Sequence, residues 1–158
     1  MKPTPSFRPV HQLALLVALT IPTLAPAADM DPQPNEPPWF EGVRQEFKAK
    51  RFDAAVEVLK VANAPTSADW NNLMGYSLRS KTSPDYAAAE THYRKALEID
   101  PKHRGALEYY GELLLIRGDL AGAEGLLKRL DKACFFGCRQ YSDLKESVAA
   151  YKVKNKPK

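Results

Sequence analysis

Two stretches of the sequence carry the same arrangement of small and large residues, 36 positions apart. Gly75 and Gly111 each follow a large residue and precede a leucine by three positions. The segments that come next also correspond, with Ala89 and Ala123 at equivalent places. Self-similarity at a period of about 20–50 residues is typical of proteins that stack one supersecondary unit on the next. The pattern therefore predicts a fold built from repeated units.

Apolar residues recur every three or four positions in six consecutive segments, which is the spacing of one face of an α-helix. These residues are Trp39, Phe40, Val43 and Phe47; Phe52, Ala55, Val56 and Leu59; Trp70, Leu73, Met74 and Leu78; Tyr86, Ala89, Tyr93, Ala96 and Leu97; Leu107, Tyr110 and Leu114; and Leu120, Ala123, Leu127 and Leu130. No segment alternates apolar and polar residues long enough to predict a strand. Nine of the 13 prolines lie in the first 38 residues, so the rest of the chain is free to form long helices.

Residues that begin or end helices lie between these segments. Ser83 is expected to cap the fourth helix with Pro84 in its first turn, and Asp119 is expected to cap the sixth. The residue before Pro101 disfavours the helical conformation, so the fourth helix should end there. A seventh helix is predicted at 139–152, because the last unit of a stack needs a cap. Its apolar face comprises Tyr141, Leu144, Val148 and Tyr151.

The combined pattern resembles the tetratricopeptide repeat, a helix-turn-helix unit of about 34 residues. The large-Gly-large pattern, the Gly118-Asp119-Leu120 turn and the Ala-Leu-Glu-Ile-Asp-Pro sequence at 96–101 carry the resemblance. It extends over roughly residues 36–137, although Val43 occupies the position of the close-packing glycine in the first unit. The resemblance implies an all-α solenoid of about three helical hairpins with a C-terminal capping helix, within residues 39–152.

The first 27 residues have the organisation of a secretory signal peptide. A cationic start precedes the apolar segment 13–24, and Ala25-Pro26-Ala27 offers a cleavage site after Ala27. We expect a Pro-rich linker at 28–38 and a Lys-rich tail at 153–158. No later segment is long and apolar enough to span a bilayer, so no membrane span is expected in the mature chain. The leader and the cysteine pair together favour export, with a bacterial periplasm as the expected compartment.

The two cysteines, Cys134 and Cys138, lie in the sequence Cys-Phe-Phe-Gly-Cys. In an exported protein such a pair is read first as a structural disulfide, which would fix the angle of the capping helix. A redox or metal-binding thiol pair and two free thiols remain alternatives. Metal binding is disfavoured because neither His92 nor His103 is nearby in sequence and two sulfurs fill only half of a tetrahedral site. A redox role is disfavoured because the spacing is not Cys-x-x-Cys.

Several classes of function are not supported by the sequence. The formal net charge of +4, to which Lys2 and Arg8 of the leader contribute two units, is too small for a nucleic-acid-binding footprint. The chain has no P-loop, no Gly-x-Gly-x-x-Gly and no Gly-x-Ser-x-Gly motif. His92 and His103 are expected to be ordinary surface or helix-end residues. We therefore expect a protein that is not an enzyme and holds no cofactor or metal.

The resemblance also implies a binding surface, because in the tetratricopeptide family the first helix of each unit lines a concave groove that selects peptide partners. The exposed groove positions carried over to this chain are Phe40, Arg44, Phe47, Asn72, Tyr76, Arg79, Glu108, Glu112 and Leu115. Glu108 and Glu112 would repel a terminal carboxylate, so the carboxylate clamp of some family members is not expected. Phe40, Tyr76 and Leu115, flanked by Arg and Glu, favour a segment with both apolar and charged residues.

These observations predict a non-catalytic scaffold or adaptor in the cell envelope or secreted, with a protein or peptide as its partner. The competing hypothesis is a thiol redox or metal-handling protein that uses Cys134 and Cys138. A third hypothesis is an accessory subunit whose groove is filled by its own linker at 28–38.

Overall fold

The computed structural model describes residues 36–156, and within these residues the chain forms seven α-helices and no strand. The helices are α1 (Pro38–Lys48), α2 (Phe52–Ala62), α3 (Ala68–Ser80), α4 (Tyr86–Ile99), α5 (Arg104–Ile116), α6 (Leu120–Ala133) and α7 (Arg139–Lys154). The predicted leader at 1–27, most of the linker at 28–38 and the last two residues of the tail lie outside the described residues. In the described part, no helix is both long and apolar enough to cross a membrane.

The first six helices form three consecutive hairpins, α1 with α2, α3 with α4 and α5 with α6. Neighbouring hairpins are joined by contacts of α2 with α3 and of α4 with α5, and α7 packs on both helices of the last hairpin. This arrangement confirms the predicted all-α solenoid. The capping helix begins where the sequence predicts it and ends at Lys154, two residues later than predicted.

Side-chain caps begin four of the helices, and they correct one detail of the sequence analysis. Asp119 accepts a hydrogen bond from the Gly122 amide at 2.8 Å, as predicted. Ser83 does not cap α4, because Asp85 takes that position and accepts from the Ala88 amide at 3.0 Å. The Asp85 amide donates to the Leu78 carbonyl, which fixes the end of the preceding turn and places Pro84 outside the helix.

Two apolar clusters make up the core. The first joins α1, α2 and α3 and contains Val43, Val56, Leu59, Trp70, Leu73 and Met74. The second extends from α4 to α7, and Leu78 packs against both clusters. The Trp70 indole N–H donates to the Leu59 carbonyl at 2.8 Å, so the ring both fills the core and satisfies a carbonyl near the end of α2.

The small residues of the repeat lie at close contacts, as the sequence predicts. Ala89 and Ala123 are fully buried. A Cβ atom on Gly75 would lie 2.8 Å from the ring of Tyr93 on α4, and a Cβ on Gly111 would lie 2.7 Å from the methyl groups of Leu144 on α7. Each glycine therefore makes room for a large side chain of another helix.

Replacing Gly75 with alanine should lower the free energy of unfolding by about 1–3 kcal/mol, because the new methyl group would overlap the buried Tyr93 ring and approach the Ala89 carbonyl oxygen at 3.1 Å. Urea denaturation followed by circular dichroism measures the change. Gly125→Ala is the matched control, since no atom lies within 4 Å of its Cβ position, and it should raise stability by up to about 1 kcal/mol. Equal behaviour of the two variants would contradict the proposed helix contact.

Candidate functional site

A continuous row of aromatic side chains links the first helices of the three hairpins. The ring centroids of Phe47 and Tyr76 are 5.2 Å apart, and those of Tyr76 and Tyr109 are 4.7 Å apart. Phe52, at the start of α2, lies 5.7 Å from both Phe47 and Tyr76. Because Tyr76 contacts the other three rings, it is the centre of this surface. We name the surface formed by Phe47, Phe52, Tyr76, Arg79, Tyr109 and Glu112 the groove face.

Arg79 is held against the aromatic row by three kinds of contact. Its guanidinium carbon lies 5.3 Å from the Tyr76 ring centroid and 5.6 Å from that of Tyr109. One guanidinium nitrogen donates to the Tyr109 carbonyl at 3.1 Å and forms an ion pair with Glu112 at 2.8 Å. The cation is therefore fixed in position before any ligand arrives, which lowers the entropy that binding would cost.

The structure brings five of the nine predicted groove residues to partly exposed positions and buries the other four. The partly exposed residues are Phe40, Phe47, Tyr76, Arg79 and Glu112, and the buried ones are Arg44, Asn72, Glu108 and Leu115. The expectation that all nine line an exposed surface is therefore wrong for the four buried side chains. Their role in partner binding stays a prediction.

Local packing explains the buried set. Arg44 lies 5.3 Å from the ring centroid of Phe40 and forms ion pairs with Glu36 and Glu41, so only 1 % of its side chain is exposed. Asn72 lies beside Gly105, whose missing side chain leaves room for the amide. Glu108 and Leu115 lie on α5, which α7 covers.

Glu108 has the most perturbed carboxyl group among the described residues. Burial raises its pKa to about 8, and the nearby carboxylates of Glu112 and Asp143 act in the same direction. Arg139 and Arg79 lower the pKa but do not offset these effects. Glu108 is therefore mostly protonated at neutral pH, and in that form its hydroxyl can donate a hydrogen bond.

The groove face ends in a shallow depression of about 430 Å³ between α3, α5 and α7. It is lined by Arg79, Ser80, Glu112, Leu115, Ile116 and Ser147. Ile116 is 54 % exposed although Leu113, Leu114 and Leu115 before it are buried. The apolar run at the end of α5 thus leaves one side chain available at the rim of the depression.

A second polar cluster surrounds Glu90 in a cavity of about 460 Å³ that α4, α5 and α6 line. The Glu90 carboxylate accepts from Arg94 at 2.7 Å and from the Tyr110 hydroxyl at 2.9 Å, and it also pairs with Arg117. The hydrogen bonds from Arg94 lower the pKa of this carboxyl. Because Arg94, Arg117 and the Tyr110 hydroxyl all pair with the Glu90 carboxylate, we assign this cluster to the packing of adjacent hairpins.

Neither His92 nor His103 is part of the groove face. His103 caps α5, accepting from the Ala106 amide at 3.1 Å, and its other nitrogen lies 2.9 Å from Asp69. His92, expected on the outer face of its helix, is half-buried at 3.1 Å from the Asn71 side chain, and burial lowers its pKa. Within residues 36–156, no three His, Cys, Asp or Glu side chains converge in a way that would hold a metal ion.

The two cysteines face each other across the turn between α6 and α7. Their Cα atoms are 5.6 Å apart. The Gly137 amide donates to the Cys134 carbonyl at 2.9 Å, and Gly137 has φ +83°, a conformation that glycine adopts without strain. Cys134 is buried and Cys138 is half-buried, so the pair lies at the edge of the core.

The model of the tetratricopeptide repeat family matches residues 83–146. Solved structures of the same all-helical architecture align with most of the chain. Residues 83–146 are therefore a tetratricopeptide repeat region. The matched segment comprises the second hairpin from α4 onwards, the third hairpin and the first half of α7, which are the units whose sequence pattern is most regular.

The similar structures are distant in sequence and therefore bear only on the fold of this chain. SycD, a type III secretion translocator chaperone of Yersinia enterocolitica, aligns with a TM-score of 0.64 and 16 % identity over 75 % of this chain and 92 % of its own. SycD in complex with a peptide of the translocator YopD aligns with a TM-score of 0.61. The first repeat domain of Spaghetti (RPAP3), bound to an HSP90 peptide, aligns with a TM-score of 0.57 and 16 % identity over 70 % of this chain and 87 % of its own.

One curated protein shares closer sequence similarity over a short segment. It is named "Probable biofilm formation methyltransferase WspC", from Pseudomonas putida, and is 46 % identical over 56 residues. That segment is 35 % of this chain, and the chain spans 13 % of the length of that protein.

The sequence analysis missed two members of the groove face, Phe52 and Tyr109. Phe52 was assigned only to the apolar face of its helix, where it in fact also contacts Tyr76. Tyr109 precedes Tyr110, and adjacent residues of a helix point in different directions. The Tyr109-Tyr110 pair could have indicated this, because two adjacent tyrosines cannot face the same neighbour. Tyr110 contacts Glu90, and Tyr109 contacts Tyr76 of the groove face.

Replacing Glu108 with glutamine should remove a pH dependence of stability. The folded-state pKa of about 8 lies above the unfolded value, so the folded chain binds the proton more tightly and wild-type stability falls as pH rises from about 4.5 to about 8. We expect Glu108→Gln to be more stable than wild type at pH 8 by at least about 1.4 kcal/mol, the equivalent of one pKa unit, and equal to it near pH 4.

Urea denaturation at a series of pH values measures this difference. Glu146→Gln, at an exposed position of α7, is the control and should follow the wild-type pH profile. A Glu108→Gln profile parallel to that of wild type would show that Glu108 is not the carboxyl responsible.

Proposed function

We propose that this protein is a non-catalytic protein-interaction module that binds a peptide segment of a partner on the groove face. The observation that carries the proposal is the unbroken contact of Phe47, Tyr76 and Tyr109 across all three hairpins, with Arg79 fixed against it. Complexes of SycD and of RPAP3 with peptides support this use of the fold.

The chemistry of the groove face selects the kind of peptide. Aromatic rings accept apolar side chains at the α1 and α3 end, and Ile116 extends the apolar surface at the rim of the depression. Glu112 neutralises Arg79, and the raised pKa of Glu108 leaves that carboxyl mostly uncharged at pH 7. A segment with spaced apolar residues and few charges fits this surface better than a chain-terminal carboxylate does.

The similarity to WspC does not extend the proposal to methyl transfer. The shared segment covers 13 % of that protein and coincides in length with less than two hairpins. Repeat arrays of this kind occur beside many activities, and activity follows from a site and not from the fold.

We further propose that the chain acts in the bacterial cell envelope after export and that Cys134 and Cys138 form a structural disulfide there. The signal-like sequence at 1–27 supports export. The separation of the two Cα atoms, 5.6 Å, lies within the range of disulfide-bonded pairs and supports the crosslink. In this role the bond holds the start of α7 next to the end of α6.

A pull-down from an envelope extract of the source organism tests the groove face. The double variant Tyr76→Ala with Glu112→Lys should lose the partners that wild type captures, because it removes the central ring and places a second cation beside Arg79. Partner proteins are identified by mass spectrometry, and folding of each variant is verified by its melting temperature.

The matched control is Tyr86→Ala with Glu98→Lys, the same pair of changes at exposed positions of α4. This control should retain the wild-type partners. If both double variants capture the same proteins as wild type, the groove face is not the binding surface.

The state of the cysteines separates the proposed module from a thiol redox or metal-handling protein. For a structural disulfide, the intact mass of the protein should rise by about 2 Da only after reduction. The pair should also resist reduction by a glutathione buffer set to the redox potential of the cell envelope. Mass spectrometry after graded reduction, together with metal analysis of the purified chain, provides the measurement. A pair that cycles readily with glutathione, or that copurifies with stoichiometric metal, would favour the alternative.

A further inference from the structure

The turn between α6 and α7 presents two aromatic side chains to solvent. Phe135 is 89 % exposed and Phe136 is 96 % exposed, the two most exposed large apolar residues among those described. Their ring centroids are 5.2 Å apart in an edge-to-face arrangement. The repeat stack does not bury them, and an exposed pair of large apolar side chains is a candidate interaction site.

The turn holds this pair of rings in a defined position. Cys134 and Cys138 flank the rings, and the hydrogen bond from the Gly137 amide to the Cys134 carbonyl closes the turn. Helices α6 and α7 end and begin at the two cysteines, so both ends of the turn are fixed by the core. Because the turn is already held in one conformation, its backbone loses little conformational entropy when the rings bind a partner.

The last two turns of α6, which lead into this pair of rings, carry an excess of positive charge. The last turns of α6 carry Lys128, Arg129 and Lys132 against the single carboxylate of Asp131. The turn between α4 and α5 adds Lys102 and Arg104 against Asp100, and Arg129 connects the two segments by donating to the Pro101 carbonyl at 3.1 Å. The end of α6 and the turn that Arg129 contacts therefore carry five cations against the two carboxylates of Asp131 and Asp100.

We propose that this surface, Phe135 and Phe136 with the cations Lys128, Arg129, Lys132, Lys102 and Arg104, binds an anionic lipid bilayer. Both rings are almost fully exposed, and apart from its chain neighbours nothing lies within 4 Å of the place that a Cβ on the adjacent Gly137 would take. Exposed aromatic side chains that follow a cationic helix end match the interface of a bilayer, where rings enter the acyl boundary and cations remain at the phosphates. This charge complementarity favours lipid over an apolar protein pocket.

Vesicle flotation tests the proposal with the full-length chain. We expect binding to vesicles of phosphatidylcholine with 30 % phosphatidylglycerol and at least fivefold weaker binding to phosphatidylcholine alone. The double variant Phe135→Ser with Phe136→Ser should bind the anionic vesicles at least tenfold more weakly than wild type. Because both side chains are exposed, the variant should keep the wild-type melting temperature.

The matched control is Val61→Ser with Val153→Ser, which removes two other exposed apolar side chains and should bind as wild type does. Equal binding by the two double variants would overturn the proposal, because lipid contact would then come from another part of the chain. Equal binding to neutral and anionic vesicles would also overturn it. So would the absence of vesicle binding together with loss of a protein partner in the phenylalanine variant, which would identify the turn as a protein-docking surface.

Discussion

The contact of the Tyr93 ring with the backbone of Gly75 determines how the rest of the stack is arranged. Tyr93 is fully buried, stacks 6.1 Å from Tyr110 of the next hairpin and fills the space that a side chain at Gly75 would occupy. Tyr76, the next residue, is turned by about 100° around the axis of α3, so it leaves the contact with α4 and becomes partly exposed. The position of the groove face thus follows from the helix contact behind it.

That contact also explains why the groove face is continuous. Tyr76 reaches Phe47 on α1 and Tyr109 on α5 because the hairpins on either side are held at the spacing that the buried small residues allow. Arg79, one turn later on α3, then spans the gap to Glu112. Residues from three hairpins form one surface, although each helix alone presents only one or two of them.

The sequence predicted the helices, the crossing residues and the Asp119 cap, because these depend on residues a few positions apart or on the repeat itself. It did not predict the burial of Arg44 and Glu108, since each is covered by residues that are close in space but not implied by its own helical face. Ser83 failed as a cap for a related reason, because the Asp85–Leu78 hydrogen bond sets the entry to α4. The groove face was therefore located on the correct helices with an imperfect set of side chains.

Helix α7 ends the repeat stack by a contact of the same type as the one inside it. Leu144 of α7 occupies the space left by Gly111, as Tyr93 of α4 occupies the space left by Gly75. In the third hairpin, the glycine of the first helix therefore contacts the capping helix α7 and not the second helix α6. Cys138 lies directly before α7, and Asp143 of α7 adds to the effect of burial in raising the pKa of Glu108, so one helix links the exposed phenylalanine turn to this buried carboxyl. The packing of α7 therefore bears on both the phenylalanine turn and the carboxyl of Glu108.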